Sequence, residues 1–381
     1  MTQESEQRQA FWERLDENDY LALTPEEQKR ELIRIQSLID EDGQTPEQKA
    51  DLFLAQALLY RFTEEYAKAI ASYDKALKFK PDFHEAWYYQ GNALNDLGRF
   101  EEAIASYDKA LEFKRDDDKA WNNRGIALGN LGRLEEEIAS YDKALEFKPD
   151  DDAPWYNRGI ALDNLGRLEE AIASYDKALE FKPDDDAAWY NRGIALGNLR
   201  RLEEEIASYD KALEFKPDDH KAWYNRGKAL VDLGRLKEAI TSYDKALEFK
   251  RDDDKAWNNR GNALGKLGLL EAAIASYEKA LEIKPDLHVA WNNRGIALGK
   301  LGRLEEAIAS YDKALEFKPD KDEAFYNKAC CYALHGQADL SIQNLQRAIN
   351  LNPDEYREKA KTDSDFDGIR SDFRFQALIQ G

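Results

Sequence analysis

Apolar and small residues recur along this chain at helical spacing, and the whole pattern repeats every 34 residues. In one unit Trp155, Gly159 and Leu162 fall on one helical face, since they stand at i, i+4 and i+7. After a break, Ala171 and Tyr175 begin a second stripe of the same kind. Each unit is therefore predicted to consist of two packed helices. We expect Gly159 to face Ala171, so that the paired helices approach closely.

Glycine and proline mark the expected helix ends. Gly166 should end the first helix, because glycine accepts the left-handed conformation that follows a helix C-terminus. In one unit Arg200 replaces this glycine. The second helix should stop before Pro183. Arg115 and Arg251 stand in the place of this proline in two units, and we expect these two helices to run on slightly.

The phase of the aromatic residues predicts nine repeats between residues 50 and 355. Seven tryptophans keep the 34-residue period, while Phe53 and Phe325 hold the same phase at the two ends. The tryptophans are Trp87, Trp121, Trp155, Trp189, Trp223, Trp257 and Trp291, and they are expected to be buried. The predicted repeats are 50–83, 84–117, 118–151, 152–185, 186–219, 220–253, 254–287, 288–321 and 322–355.

The residues on either side of the repeats are predicted to cap them. Within residues 1–49, Thr24 and Thr45 are each followed by proline and then by Glu or Gln where a capping box needs it, which predicts two helix starts. A helix from Pro25 to Ile39 would carry an apolar stripe suited to covering the end of a stack. Residues 356–381 break the period and are predicted to close the other end with apolar side chains. These are Phe366, Ile369, Phe373, Phe375 and Leu378.

Charge and cysteine content narrow the class of protein. Lys and Arg number 55 against 76 Asp and Glu, a net charge of −21, which argues against non-specific binding to nucleic acid or anionic membranes. The start of the chain lacks the features of a signal peptide, and no apolar run is long enough to span a membrane. Cys330 and Cys331 are adjacent, so no disulfide framework is expected. We expect a cytoplasmic protein, monomeric or weakly self-associating.

The spacing of Trp155, Gly159, Leu162, Ala171 and Tyr175, followed by Pro183, resembles the tetratricopeptide repeat. The resemblance implies an all-α fold, a right-handed α-solenoid or superhelix of the bacterial type, with first helices lining a concave groove and second helices outside. It also implies a non-enzymatic scaffold that binds proteins or peptides. Arg158 stands where the family usually has leucine, and Leu162 where it usually has an aromatic residue.

An asparagine two positions after the tryptophan recurs in the repeats. On a helix Asn157 lies about 200° from Trp155, so it should point into the groove. Amides there can bond the N–H and C=O of an extended peptide without contacting its side chains. The alternative is that each asparagine bonds its neighbouring repeat and only maintains the superhelical pitch. The row consists of Asn123, Asn157, Asn191, Asn225, Asn259, Asn293 and Asn327.

The arginine that follows most of these asparagines lies nearer the packed face, where an unpaired charge would be costly. Each second helix offers a carboxylate, so a structural ladder of ion pairs between helices is predicted. The arginines are Arg124, Arg158, Arg192, Arg226, Arg260 and Arg294. The carboxylates are Asp108, Asp142, Asp176, Asp210, Asp244, Glu278 and Asp312. Glu137 and Glu205, which replace small residues in two repeats, could add to this ladder.

Lysines at groove-facing positions of the later repeats suggest where a ligand binds. Asp232 is the one acidic residue that this phase places among them, whereas Asp96 and Asp163 make the earlier groove acidic. A basic stripe in an acidic protein favours an acidic peptide. The alternative is that these lysines are solvated or pair with the Asp-rich loops. They are Lys221, Lys228, Lys255, Lys266 and Lys300.

Sequence motifs for other chemistry are weak. No catalytic or dinucleotide-binding motif is present, so we expect no enzyme activity and no cofactor. The run from Asp363 to Arg374 resembles a calcium loop, but Arg374 stands where the bidentate Glu belongs. No metal site is expected there. The four histidines lie in separate repeats without metal-ligand spacing: His84, His220, His288 and His335.

Three functional hypotheses remain open. The first is a scaffold or adaptor that holds an extended segment of a partner protein. The second is an architectural or self-associating rod whose groove is empty or filled by the protein's own terminal segment. The third is a regulatory subunit of a separate enzyme, such as a protease or a signalling ATPase.

Overall fold

The computed structural model describes residues 23–380, and within them the regular structure is entirely helical. The fold class predicted from the sequence, all-α with consecutive helix pairs, is therefore confirmed. The helices are α1 (Pro25–Asp40), α2 (Pro46–Phe62), α3 (Tyr66–Phe79), α4 (His84–Asp96), α5 (Phe100–Phe113), α6 (Asp118–Asn130), α7 (Leu134–Phe147), α8 (Asp152–Asn164), α9 (Leu168–Phe181), α10 (Asp186–Asn198), α11 (Leu202–Phe215), α12 (His220–Asp232), α13 (Leu236–Phe249), α14 (Asp254–Lys266), α15 (Leu270–Ile283), α16 (His288–Lys300), α17 (Leu304–Phe317), α18 (Asp322–Leu334), α19 (Ala338–Leu351), α20 (Pro353–Thr362), a 3₁₀-helix (Ser364–Ile369) and α21 (Phe373–Gln380).

The chain forms two compact units, Met1–Ala195 and Leu196–Gly381. In the first, α4 packs on α5, α5 on α6 and α6 on α7, and the same order continues to α9. In the second, α12 packs on α13, α13 on α14 and so on through α19. Each helix thus buries its apolar face against its neighbours in sequence, as a repeat array requires.

Close approach within a helix pair depends on glycine against tyrosine. A Cβ on Gly159 would lie 2.5 Å from Cε1 of Tyr175, a distance that no real side chain tolerates. The glycine predicted to face Ala171 instead receives the tyrosine ring, which is fully buried. The reason is size, because the ring of Tyr175 reaches across the interface and the methyl group of Ala171 does not. Other glycines that make this contact are Gly91, Gly125, Gly227, Gly261 and Gly295.

The tryptophans hold the turns between repeats. Trp155 is only partly buried, so the expectation of full burial was wrong. Its Nε1 donates to the carbonyl oxygen of Pro149 at 3.0 Å, which keeps one edge of the indole near solvent. The same bond explains why arginine can replace the proline. Trp121 donates to the carbonyl of Arg115 at 2.9 Å, and α5 ends at Phe113 without the predicted extension.

The turn inside each repeat uses a left-handed residue. Gly166 has a φ of 74° and Arg200, which replaces glycine, has a φ of 60°. Both helices that precede Arg115 and Arg251 end at phenylalanine, as their counterparts do. Arg115, Arg200 and Arg251 therefore replace the usual proline or glycine without altering the backbone path within each unit.

The flanking segments pack on the adjacent helices. Thr24 and Thr45 both form the predicted capping boxes, and Ile35 on α1 is buried against α2. At the other end Phe366 and Phe375 are buried in one cluster with Tyr326. The prediction that Phe373 joins them was wrong, because it is 79% exposed. It begins α21, whose buried positions are Phe375 and Ile379.

Across the described residues, we find no helix that is both long and apolar enough to cross a bilayer.

Candidate functional site

A cavity of about 540 Å³ opens between the first helices of three successive repeats in the second unit. Helices α12, α14 and α16 form its walls, and residues of α13 and α15 form its base. Its lining combines cations, amides and apolar side chains, so that it offers a ligand both charged and apolar surface. The lining residues are Lys228, Val231, Asp232, Tyr243, Asn259, Asn262, Gly265, Lys266, Leu270, Tyr277, Asn293, Ile296, Ala297 and Lys300.

Three of the five lysines singled out from the sequence lie together at this cavity: Lys228, Lys266 and Lys300. All three are exposed, and none forms an ion pair with any residue that the structure describes. Asp232 is the only carboxylate in the lining. Lys221 and Lys255 are also exposed but lie in the first turns of α12 and α14, outside the cavity. The cavity therefore carries an excess of positive charge.

Two asparagines of the predicted row, Asn259 and Asn293, also line the cavity. The amide nitrogen of Asn259 donates to the hydroxyl of Tyr224 at 3.0 Å. Asn293 donates to Oδ1 of Asn262 at 2.9 Å and more weakly to Asn258. Both amides thus use their donors on the repeat before them, and both side chains remain partly exposed.

The same contact to the preceding repeat occurs in the first unit. Asn123 donates to Tyr88 and Asn92, Asn157 donates to Asn122, and Asn191 donates to Tyr156. Asn225 and Asn327 are partly buried as well. These bonds are those that the pitch-setting interpretation requires, while a role of the row in binding stays a prediction.

Asn262, which the sequence analysis missed, organises the base of the cavity. Its Oδ1 accepts hydrogen bonds from the hydroxyl of Tyr277 at 2.9 Å and from the amide of Asn293. Its oxygen accepts both bonds, so its amide nitrogen remains a donor on a residue that lines the cavity. The signal was present in the sequence, because asparagine replaces isoleucine at this position in only two repeats, at Asn92 and Asn262.

Asn92 marks a second, smaller cavity of about 240 Å³ in the first unit. Its Oδ1 accepts from Tyr107 and Asn123, as Asn262 does from its own neighbours. Here Arg61 and Asp96 form an ion pair at 3.1 Å. The charge in this cavity is therefore internally balanced, unlike the charge at Lys228, Lys266 and Lys300.

Buried carboxylates occupy the corresponding space in other repeats. Glu137 is 6% exposed, accepts a hydrogen bond from Tyr141 at 3.1 Å and lies against Gly129. Glu205 is 8% exposed and lies against Gly197 in the same way. Burial raises the pKa of Glu205 to about 7, although a hydrogen bond from Tyr209 opposes the shift. The expectation that these two residues extend the arginine ladder was wrong, because they point into the interior of their own repeats.

The arginine ladder itself is confirmed. Nε of Arg158 lies 2.7 Å from Oδ1 of Asp142 on the second helix of the preceding repeat, and Nη1 donates to Ser174 of its own repeat. The guanidinium carbon also lies 5.9 Å from the centre of the Trp155 ring. Arg158 thereby joins three helices. The equivalent pairs are Arg124–Asp108, Arg192–Asp176, Arg226–Asp210, Arg260–Asp244, Arg294–Glu278 and Lys328–Asp312.

One other group of potential ligand atoms occurs among the described residues. Sγ of Cys330 and carboxylate oxygens of Asp363 and Asp365 lie within 4.8 Å of one another. Internal bonds account for this group, since Asp363 accepts from the Tyr326 hydroxyl at 2.7 Å and caps the N–H of Asp365. Ser364–Ile369 forms a 3₁₀-helix rather than an open loop. Cys330 and Cys331 are both free and buried, and burial raises the pKa of each thiol.

Family comparisons agree with this architecture. Models described as TPR repeat match residues 91–132, 164–199 and 227–268. Models described as tetratricopeptide repeat match 254–287 and 288–321, then 72–105, 140–173 and 208–241, and also 50–83, 118–151, 186–219 and 322–355. Together they cover residues 50 to 355. The sequence matches no curated protein.

Solved structures of repeat proteins are similar to this chain. YrrB, described as a TPR protein with an unusual peptide-binding site, is 28% identical over 50% of this chain and 98% of its own, with a TM-score of 0.47. MamA from Desulfovibrio magneticus RS-1 is 23% identical over 45% of this chain and 96% of its own, with a TM-score of 0.42.

The C-terminal part of a TPR repeat-containing protein from Cytophaga hutchinsonii has the same fold, with a TM-score of 0.56. It is 18% identical over 62% of this chain and 97% of its own. The period, the helix pairs and the matches to repeat models lead to one conclusion: the chain belongs to the tetratricopeptide repeat family, whose members are in general protein-interaction scaffolds.

Proposed function

We propose that this protein is a non-enzymatic scaffold or adaptor that binds an extended acidic segment of a partner protein at the cavity between α12, α14 and α16. Lys228, Lys266 and Lys300 carry the proposal, because three ammonium groups at one cavity lack an ion-pair partner among the described residues. Such a cluster in a chain of net charge −21 attracts an acidic segment to one place on the surface.

Apolar residues in the lining indicate what else the segment contains. Val231, Leu270 and Ile296 lie beside the lysines, so a segment of alternating acidic and apolar residues fits better than a run of acidic residues alone. In an extended segment alternate side chains point to opposite sides, which lets one edge meet the lysines and the other meet the apolar wall.

An architectural role is the second candidate. It is favoured by the hydrogen bonds from Asn157 and Asn191 to the preceding repeat, which use the amide donors internally. In that case the row maintains the geometry of the array and the cavity has no ligand.

A labelled hexapeptide of alternating leucine and glutamate tests the proposal in a fluorescence anisotropy titration. We expect Lys228→Glu with Lys266→Glu to weaken binding at least tenfold and to flatten its dependence on salt concentration. The matched control is Lys221→Glu with Lys255→Glu, which makes the same charge change outside the cavity and should stay within twofold of wild type. Equal losses in the two double variants, or no binding by wild type, would refute the proposal.

A further inference from the structure

The space beside Gly265 in the cavity corresponds to a place that the protein fills with its own carboxylate in other repeats. In the repeat that contains Gly197, a Cβ on this glycine would lie 2.7 Å from Oε1 of Glu205. In the repeat that contains Gly129, a Cβ would lie 2.7 Å from Oε1 of Glu137. In both repeats the glycine leaves room, and the glutamate of the second helix takes it.

A third repeat supplies the carboxylate from the opposite helix. Asp163 stands at the position of these glycines, and Ala171 stands at the position of the glutamates. The Asp163 carboxylate is close enough to contribute to the raised pKa of Tyr175, as Glu137 contributes to that of Tyr141. The chain therefore places a carboxylate beside the tyrosine hydroxyl in two different ways.

The repeat at the cavity has neither residue. Gly265 and Ala273 occupy the two positions, and a Cβ on Gly265 would find the Tyr277 hydroxyl at 3.7 Å and the Ala273 methyl at 3.9 Å. Gly265 and Tyr277 line the open cavity instead of enclosing a side chain. This repeat therefore has the same space but no carboxylate side chain of its own to fill it.

Donors for a carboxylate line the same cavity as this space. The hydroxyl of Tyr277 is bonded to Oδ1 of Asn262, which leaves the amide nitrogen of Asn262 as a donor. Lys266 and Lys300 also line the cavity. In contrast, Glu137 leaves its Oε2 without a hydrogen-bond partner among the described residues. The cavity thus offers a carboxylate more donors than the site of Glu137 does.

We propose that the space beside Gly265 is an anchor subsite for one glutamate or aspartate side chain of the bound segment, which takes the place that Glu205 takes beside Gly197. The inference rests on the proposed function, since it assigns one acidic side chain of the ligand to a defined position. The remaining cavity then holds the apolar neighbours of that side chain against Val231, Leu270 and Ile296.

Filling the subsite from within the chain tests the inference. Ala273→Glu copies the Gly197–Glu205 pair and Gly265→Asp copies the Asp163–Ala171 pair, while every lysine is retained. We expect each variant to weaken binding of the leucine–glutamate hexapeptide at least tenfold. The control is Ala272→Glu, which adds the same charge on the exposed face of α15, where other repeats carry glutamate. It should bind within twofold of wild type.

The outcomes separate the two proposals. If Ala273→Glu and Gly265→Asp bind the hexapeptide as wild type does, the anchor subsite is refuted while the acidic-segment proposal stands. If Ala272→Glu weakens binding as much as Ala273→Glu, the loss comes from charge alone and the subsite is again refuted. If wild type binds the leucine–glutamate hexapeptide no more tightly than a leucine–glutamine hexapeptide, both proposals are refuted. Helical circular dichroism and a cooperative thermal transition verify that each variant is folded.

Discussion

Oε1 of Glu205 lies 2.7 Å from the position that a Cβ on Gly197 would occupy, so this glutamate is buried because its neighbour has no side chain. The two residues come from the two helices of one repeat, α10 and α11. Their relationship has a consequence for stability as well as for the ligand site.

Stability should fall as the pH rises, owing to Glu205. Burial raises the pKa of Glu205 from 4.5 to about 7. Between these two pH values the folded state therefore keeps a proton on Glu205 that the unfolded state has already released. The stabilising contribution is complete below pH 4.5 and is lost as the pH approaches 7. We expect a loss on the order of 2–3 kcal/mol, since one pKa unit corresponds to about 1.4 kcal/mol.

Thermal unfolding of wild type and Glu205→Gln between pH 4.5 and 8 measures this effect. The glutamine variant should lose less stability over the interval, whereas Glu203→Gln, on the exposed face of the same helix, should follow wild type. Parallel pH profiles for wild type and Glu205→Gln would contradict the prediction.

Arg158→Ala should lower the stability of the first unit by about 1–2 kcal/mol, because it removes a charged hydrogen bond to Asp142 and another to Ser174. The side chain of Arg158 is 19% exposed, which limits compensation by water. Urea unfolding followed by circular dichroism measures the change. Arg167→Ala is the control, since Arg167 pairs with Glu170 on the open surface and its removal should leave the midpoint nearly unchanged. Equal shifts in the two variants would show that the ladder adds nothing beyond a surface ion pair.

The double variant Asn259→Ala with Asn293→Ala should bind the leucine–glutamate hexapeptide more weakly, while the dependence of the affinity on salt concentration stays unaltered. Loss of amide hydrogen bonds, unlike loss of lysine charge, is not screened by salt. The same variant also loses the bonds to Tyr224 and Asn262, so its melting temperature should fall. A lower melting temperature with unchanged affinity would favour the architectural role of the row.

Millimolar calcium should not raise the melting temperature of the protein. Arg374 occupies the closing ligand position and is paired with Asp339 and Asp372, and the residues from Ser364 to Ile369 form a helix. Differential scanning calorimetry with and without calcium measures this. A rise of several degrees that Asp363→Ala removes would show that the segment binds the ion after all.

Much of this architecture could be predicted from the sequence because every repeat has the same spacing of apolar and charged positions. The spacing of Trp155 and Tyr175 gives the helix pair, and Arg158 could be assigned to Asp142 because a charge near a packed face needs a partner. The position of Glu205 could not be obtained in this way. Its burial depends on the absence of a side chain at Gly197, a residue that local pattern treats only as a weak helix former.

The cavity was only partly foreseeable for the same reason. Lys228, Lys266 and Lys300 follow from helical phase. The sequence also shows that Asn262 replaces an isoleucine, but not that Tyr277 and Asn293 share its oxygen. Burial of the tryptophans was overestimated because the sequence does not show that the indole N–H bonds a turn carbonyl such as that of Pro149. Side-chain hydrogen bonds of this kind cannot be read from the spacing of apolar residues.

The arginine ladder bears on how such a gene can change in length. Arg158 bonds a carboxylate 16 positions before it and a hydroxyl 16 positions after it, and each partner recurs in every neighbouring copy. Duplication or loss of one whole 34-residue copy restores both partners at the new junction, whereas an insertion of another length within one of these helices moves the arginine away from its partners. Recombination between copies is therefore tolerated in whole repeats. It can add or remove repeats between the end of the chain and the cavity while the residues of both stay the same.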